Sequence, residues 1–206
     1  QIDDIIRRKS SSITYKVFKY NRKKFEAKCS LVNFMDVPKN DSNITNFING
    51  VINHSRLSHP SIVKFKGYSP YNFKFLKNYP VIFTEFCKNG TLSDIIQKVI
   101  NKEKIEWLDE TQKLIIIYGI ASGISYLHEH DIIHRDLKPD NILLNEYLLP
   151  KISDFGLSKV TNEDVKGINY KSKIEIKGTP AFLAPETWAT LEFTKASDVY
   201  AYGLII

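Results

Sequence analysis

The chain has 206 residues, 43% of them hydrophobic, which is enough to bury the core of one large domain or of two lobes. Its net charge of +6 comes from dispersed lysines and arginines, which argues against a specific nucleic-acid surface. With two cysteines, no signal peptide and no apolar run that spans a membrane, we expect a reduced cytoplasmic protein, with the nucleus as an alternative.

The N-terminal part of the chain predicts a β-rich unit with one helix. Residues that favour strands occur with partial alternation, and the predicted strands cover 12–18, 24–34, 62–68 and 81–86. Between them, Phe47, Ile48, Val51 and Ile52 have helical spacing and predict a helix over 46–57. The turn signal Asn89-Gly90 then indicates a break in the chain.

The C-terminal part predicts a mainly helical unit. Helices are expected over 92–101, after Thr91 as a possible cap, and over 111–128. The second of these helices has apolar residues expected in the core, namely Leu114, Ile117, Ile120, Ile124 and Leu127. A short hairpin should pair 142–144 with 151–153, whereas the polar stretch 159–177 predicts a loop. Because the apolar end Gly203–Ile206 has no helix stop signal, we expect a truncated fragment.

Two motifs in this second part combine groups suited to phosphoryl transfer. They are His134-Arg135-Asp136-Leu137-Lys138-Pro139-Asp140-Asn141 and Asp154-Phe155-Gly156. An aspartate can accept or orient the proton of an attacking hydroxyl, and a lysine can neutralise a moving phosphoryl group. Asparagine and aspartate oxygens can hold the Mg²⁺ that bridges nucleotide phosphates. The hairpin between the motifs predicts that Asn141 and Asp154 lie side by side.

These motifs, with others in the same order, resemble the eukaryotic protein kinase superfamily. The others are Ala27-Lys28, His59-Pro60-Ser61-Ile62-Val63, and the segments 84–92, 178–186 and 197–200. The resemblance implies an α+β, bilobal fold. Residues 1–88 would form the ATP-binding lobe, and residues 89–206 a partial, mainly helical lobe that carries the catalytic and activation loops and is incomplete after the start of the helix named αF in the family.

The resemblance also implies roles for individual residues. Catalytic roles fall to Asp136, Lys138, Lys28 and Thr179, and the metal ligands are Asn141 and Asp154. The ATP-binding residues are Lys28, Thr84, Glu85, Cys87, Asn141, Leu143 and Asp154. Adenine would bind backbone groups of Glu85 and Cys87, with Thr84 as a small gatekeeper. The implied cofactors are ATP and Mg²⁺, and the implied partner is a protein substrate with a serine or threonine, with no specific nucleic acid and no membrane span.

Two features indicate which kinases the chain resembles. Lys138, two residues after Asp136, matches the serine/threonine form of the catalytic loop, and in the family a hydroxyl such as that of Thr179 contacts this aspartate and lysine. The segments 84–92 and 123–128 resemble the tyrosine-kinase-like group of serine/threonine kinases.

The chain departs from the family pattern at two places. The glycine-rich loop should lie at 6–12, but Arg7, Lys9 and Ser12 occupy its glycine positions. Glycine is favoured there because the backbone must approach phosphates closely. Gly50 stands where the family has a glutamate that positions the third-strand lysine, and no acidic residue occurs over 44–58. Lys28 would therefore need another partner, such as Asp154 or the nucleotide alone.

These departures leave two functions open. The chain is either an active serine/threonine kinase, because its catalytic residues are present, or a pseudokinase that acts as an ATP-binding scaffold or allosteric module.

Regulation is a further expectation. Arg135 suggests an activation loop ordered by an anion, and Glu175 occupies the expected phosphorylation position, where it would pair with Arg135 or remain an exposed glutamate.

Overall fold

The computed structural model describes residues 2–8, 12–18, 24–31, 42–70, 79–160 and 178–206. Within them, one large sheet and one helix occupy the N-terminal part, and the other helices follow in the C-terminal part. This arrangement confirms the α+β class predicted from the sequence. None of the helices in the described ranges is both long and apolar enough to cross a membrane.

The N-terminal sheet has five antiparallel strands in the order β1-β2-β3-β5-β4. They are β1 Ile2–Arg8, β2 Ser12–Phe18, β3 Lys24–Ser30, β4 Phe65–Ser69 and β5 Val81–Glu85. Side chains alternate between the two faces, so one face forms a small apolar core. The members of that core are Tyr15, Val17, Ala27, Cys29 and Val81. The opposite face carries Thr14, Lys28 and Ile82, which pair across β2, β3 and β5.

Some strand bounds differ from those predicted. β2 matches its prediction, whereas β3 ends at Ser30, before the predicted end at residue 34. The segment 6–12, expected to be a glycine-rich loop, begins in β1 and ends in β2. Arg7 and Arg8 of β1 pair with Thr14 and Ile13 of β2. Residues 9–11, which include Lys9, lie outside the described ranges.

The helix α1 spans Ser42–Arg56 and begins before the predicted start at residue 46. Its buried residues Gly50, Asn53 and His54 recur at intervals of three and four, so they lie on one face. That face packs on a 3₁₀ turn at Phe155–Leu157. The apolar residues Ile48 and Ile52, which predicted the helix, are instead 47% and 40% exposed.

Four more helices lie in the described residues of the C-terminal part. They are α2 Leu92–Ile100, α3 Glu110–Glu129, α4 Pro185–Thr190 and α5 Lys195–Ile205. Three of these helices, α2, α3 and α5, have a side chain that caps the N-terminus. Thr91 and Thr194 form capping boxes, and Asp109 accepts the Gln112 N–H at 2.7 Å. The predicted starts and ends of α2 and α3 lie within one residue of those observed.

The long helix α3 lies at the centre of the larger core. Ile120, Ile124 and Leu127 are buried as predicted, and Ile117 is half-buried. The prediction for Leu114 was wrong, since it is 65% exposed and Ile116 faces the core instead. The core also holds residues of the short strands β6 Ile132–Ile133, β7 Ile142–Leu144 and β8 Pro150–Ile152. A further strand, β9 Lys159–Val160, pairs with β6.

Candidate active site

A buried aspartate on α5 fixes the loop between β6 and β7. The Asp198 carboxylate is 2% exposed and accepts the backbone N–H groups of His134 at 2.8 Å and Arg135 at 3.0 Å. His128 Nε2 lies 3.0 Å from the same carboxylate. Arg135 has a φ of 71°, which costs energy for a residue with a side chain. The bonds to Asp198 offset that strain and hold Asp136 in a defined orientation.

The Asp136 carboxylate is contacted by Lys138 from its own loop and by Thr179 from a distant segment. Thr179 Oγ1 donates to Asp136 Oδ1 at 2.8 Å, and Lys138 Nζ lies 2.9 Å from Asp136 Oδ2. Lys138 Nζ also lies 2.5 Å from Thr179 Oγ1. The aspartate is therefore oriented by a hydroxyl and a cation. Thr179 contacts both Asp136 and Lys138, which are the two contacts that the resemblance implied for it.

Asp154 lies opposite this group and bonds the lysine of β3. Lys28 Nζ and Asp154 Oδ1 are 2.5 Å apart, and the two side chains are 35% and 20% exposed. Gly50 offers no carboxylate to this lysine, and the structure supplies the alternative partner expected from the sequence. The ion pair places the Lys28 ammonium beside Asp154, at the edge of the cavity that both side chains line.

Asn141 and Asp154 supply oxygen atoms of the kind that Mg²⁺ prefers. The Asn141 amide nitrogen donates to the Asp136 carbonyl at 2.7 Å and to Asp136 Oδ2 at 2.9 Å. The amide oxygen is consequently the atom that Asn141 offers to a cation. One carboxylate and one amide oxygen suit Mg²⁺, which commonly takes one or two protein ligands together with phosphates and water. The residues present thus fit this metal.

These residues surround a cavity of about 390 Å³ between the sheet and the loop of Asp136. Such a volume is in the range of small-molecule sites. Among the predicted site residues, it is lined by Lys28, Gly50, Thr84, Asp136, Lys138, Asn141 and Asp154. Arg7 also lines it, and its Nη1 donates to the Asp140 carbonyl at 3.4 Å. A basic side chain thus faces the cavity from a position where a glycine was expected.

The predicted adenine-binding segment starts at the end of β5, where Thr84 lines the cavity, and continues to Cys87. Cys87 is buried with Val63 and Leu143, and this burial raises the pKa of its thiol well above the ordinary value. The Glu85 carboxylate accepts the Lys64 N–H at 2.8 Å and pairs with Lys151 at 3.0 Å. These contacts fix the segment from both sides, so its backbone groups are held in place.

A column of four rings connects α1 to the loop of Asp136. Phe155 packs between His134, at 5.3 Å between ring centroids, and His54, at 4.6 Å. His54 in turn contacts Phe65 at 5.5 Å and donates from Nε2 to the Val63 carbonyl at 2.5 Å. Burial lowers the pKa of His54, so the neutral ring is favoured.

Next to this column, the side-chain amide of Asn53 joins α1 to Ser158, the residue after the 3₁₀ turn at Phe155–Leu157. Asn53 Nδ2 donates to Ser158 Oγ at 3.0 Å and to the Ser158 carbonyl at 3.3 Å. At Gly50, an added Cβ would lie 3.1 Å from the Phe155 carbonyl oxygen, so the glycine permits close approach. The sequence reading did not identify Asn53 or His54, although their spacing from Gly50 places all three on one helical face.

Arg135 lies behind Asp136, outside the cavity. Its guanidinium stacks on the Phe193 ring at 4.6 Å, and burial lowers its pKa. Arg135 Nε is buried and has no hydrogen-bond partner in the described ranges. Its predicted partner, Glu175, lies outside those ranges, so the pairing stays a prediction.

Comparisons with known proteins agree with this geometry. The family model described as protein kinase domain matches residues 9–206. A probable receptor-like protein kinase of Arabidopsis thaliana is 40% identical over 74% of the chain and 17% of its own length. The PR5-like receptor kinase of that plant is 37% identical over 81% of the chain and 24% of its length. A G-type lectin S-receptor-like serine/threonine-protein kinase, also from that plant, is 38% identical over 59% of the chain and 14% of its length. The chain thus spans less than a quarter of the length of each of these three relatives.

Proposed function

This chain belongs to the protein kinase family, as its motifs predicted, and we propose that it transfers the γ-phosphoryl group of ATP to a hydroxyl group of a protein substrate. The observation that carries the proposal is that Asp136, Lys138, Asn141 and Asp154 line one cavity. Thr179 holds the Asp136 carboxylate from behind this cavity, and Lys138 pairs with it. Phosphoryl transfer depends mainly on positioning and charge neutralisation, and these side chains supply both.

Each side chain has a separate task in this proposal. Asp136 accepts or orients the proton of the substrate hydroxyl, and Lys138 neutralises the phosphoryl oxygens. Thr179 holds these two groups in register. Asn141 and Asp154 hold Mg²⁺, which neutralises phosphate charge when bound. Lys28, bonded to Asp154 in this structure, contacts the α- and β-phosphates of ATP.

We further propose that the substrate hydroxyl belongs to a serine or threonine. The contact of Lys138 with Thr179 supports this specificity, because the resemblance links that pair to the serine/threonine form of the loop. One relative also carries this specificity in its name. Membership of the tyrosine-kinase-like group rests on the sequence of segments 84–92 and 123–128. A reducing, cytoplasmic location is consistent with free thiols at Cys29 and Cys87.

Two aspartate variants test the proposed function. Asp136→Asn should keep Mg²⁺-dependent ATP binding but lower kcat by about 10²–10⁴-fold, because it loses only the proton acceptor. Asp154→Asn should lose the Mg²⁺ dependence of ATP binding, because it removes a metal ligand. Calorimetry and phosphate incorporation into a serine or threonine peptide measure these effects. Asp140→Asn, the same change nearby in the chain, serves as the control.

The pseudokinase alternative predicts a different result. If the wild-type protein binds ATP but transfers no phosphate, and Asp136→Asn changes nothing measurable, the chain acts as a scaffold. The absence of glycine at Arg7, Lys9 and Ser12 favours that outcome, whereas the intact group around Asp136 favours catalysis.

A further inference from the structure

One acidic residue on the cavity face of the sheet has no role in the proposed mechanism. In β3, Glu26 is two residues from Lys28, so both side chains lie on the same face. Glu26 pairs with Thr84 of β5, whereas Lys28 pairs with Ile82. Lys28, Ile82 and Thr84 all line the cavity. Glu26 therefore extends this face toward the segment that follows β5.

The Glu26 carboxylate contacts the segment after β5 at the backbone nitrogen of Cys87. Glu26 Oε1 accepts the backbone N–H of Cys87 at 3.4 Å. This N–H is one of the backbone groups assigned to adenine by the family resemblance. A backbone N–H has a single hydrogen to donate. A purine ring nitrogen that accepts this hydrogen bond must therefore displace the Glu26 carboxylate.

The surroundings of Glu26 make the carboxylate an effective competitor that a ligand can still displace. Burial raises the pKa of Glu26 to about 6, so near neutral pH the group is mostly ionised although it is poorly solvated. A charged acceptor binds a backbone N–H more strongly than a neutral ring nitrogen does. The distance of 3.4 Å is nevertheless long for such a bond, which limits its strength.

We propose that Glu26 weakens the binding of the adenine ring by occupying the purine end of the cavity, where its carboxylate competes with adenine for the Cys87 N–H. This inference rests on the proposed function, because it assumes that nucleotide binds in this cavity. Binding then relies mainly on the phosphates and Mg²⁺ at the end formed by Lys28, Asn141 and Asp154. The adenine ring contributes little to affinity in the wild-type protein.

Three probes separate the two ends of the cavity. Calorimetry on the full-length protein compares Mg-ATP, adenosine and Mg-tripolyphosphate, which lacks the base and the ribose. Glu26→Ala should bind Mg-ATP and adenosine about tenfold more tightly, because a hydrogen bond to a charged group no longer has to be broken. Its affinity for Mg-tripolyphosphate should not change. Glu26→Gln keeps a neutral acceptor and should show a smaller gain.

The control is Glu103→Ala, which removes an exposed carboxylate remote from the cavity and should leave all three affinities unchanged. Hydrogen exchange of the Cys87 amide adds a readout that does not depend on nucleotide. Exchange should be faster in Glu26→Ala than in the wild type and should slow again when adenosine is added.

Distinct results contradict the inference and the proposed function. If Mg-ATP binds but Glu26→Ala gains no affinity for adenosine, the inference is overturned and the proposed function stands. Equal exchange rates of the Cys87 amide in the wild type and Glu26→Ala also overturn the inference alone. If no variant binds Mg-ATP or Mg-tripolyphosphate, the proposed function fails, and the competition fails with it.

Discussion

Thr179 joins two segments that are distant in sequence through a single hydroxyl. That hydroxyl donates to Asp136 and accepts from Lys138. The preceding Gly178, at a φ of +128°, lets the chain pass close to Arg135, since an added Cβ would lie 3.1 Å from the Arg135 carbonyl oxygen. The glycine therefore brings the hydroxyl to the aspartate, and the hydroxyl acts as a positioning group.

Thr179→Val should lower kcat by about 10–100-fold, since it removes a hydrogen bond to a charged group while keeping the side-chain volume. The KM for ATP should change little, because Thr179 is not among the residues that line the cavity. Thr179→Ser keeps the hydroxyl and should retain most of the activity. Steady-state kinetics on a peptide substrate measure both effects, and an unchanged kcat in Thr179→Val would show that the hydroxyl has no role in positioning.

Motif order predicted the residues around Asp136 because the family places them at fixed sequence positions. The same reading missed Glu26, although alternation along β3 places it on the face of Lys28. It also treated Asp198 as part of a motif, without a site role. The bonds from Asp198 to His134 and Arg135 join residues more than sixty positions apart, and no local pattern reveals such a contact.

The helix α1 positions the Asp154-Phe155-Gly156 segment by packing. Gly50 permits close approach, Asn53 bonds Ser158, and the His54 ring packs on Phe155. A glycine inside a helix weakens that helix by roughly 1 kcal/mol relative to alanine. The structure shows a compensating contact at this glycine, so its net effect on the free energy of unfolding combines both contributions.

Gly50→Ala tests which contribution dominates. The new Cβ would press on the backbone at Phe155 and Gly156, and backbone yields less than a flexible side chain. We expect no gain in stability, a longer distance from Asn53 to Ser158, and a lower kcat. Urea denaturation and kinetics provide the measurements.

Gly203→Ala is the matched control, because Gly203 lies in α5 and an added Cβ would meet no other described part of the chain within 4 Å, apart from the adjoining backbone of its own helix. This variant should raise the free energy of unfolding by about 0.5–1 kcal/mol through helix propensity alone. If Gly50→Ala is stabilised by the same amount and keeps its kcat, the close approach of α1 does not position the site.

The existence of the elements was easier to predict than the faces they bury. α3 was predicted to within one residue at each end, because its long apolar pattern has a helical period. Yet Leu114 is exposed and Ile116 buried, since the docking of α3 on β8 sets the rotation of the helix. Similarly, polar Asn53 and His54 are buried on α1 while Ile48 and Ile52 are exposed. Hydrophobicity alone cannot identify a face whose burial depends on hydrogen bonds.

Two buried titratable groups give the whole molecule opposite responses to pH. Burial lowers the pKa of His54 below its ordinary value of 6.5, so the unfolded chain binds more protons below that pH. The His54 contribution to stability is therefore lost as the pH falls below 6.5. Burial raises the pKa of Glu26 from 4.5 to about 6, so the folded chain binds more protons between these values. The Glu26 contribution is lost as the pH rises through that window, and the two effects partly cancel.

Single variants should separate these two contributions. Glu26→Gln removes the group that favours the folded state in acid, so its free energy of unfolding should fall more steeply than that of the wild type between pH 6.5 and 4.5. The difference should reach at most about 2 kcal/mol, since one pKa unit corresponds to about 1.4 kcal/mol.

His54→Leu removes the group that opposes folding in acid, and the free energy of unfolding of this variant should fall less steeply with falling pH than that of the wild type. Urea midpoints at several pH values measure the slopes, which remain comparable even where a variant has lower stability at every pH. Parallel slopes in all three proteins would mean that neither group changes its pKa on folding, and the pH response would then arise from other carboxylates.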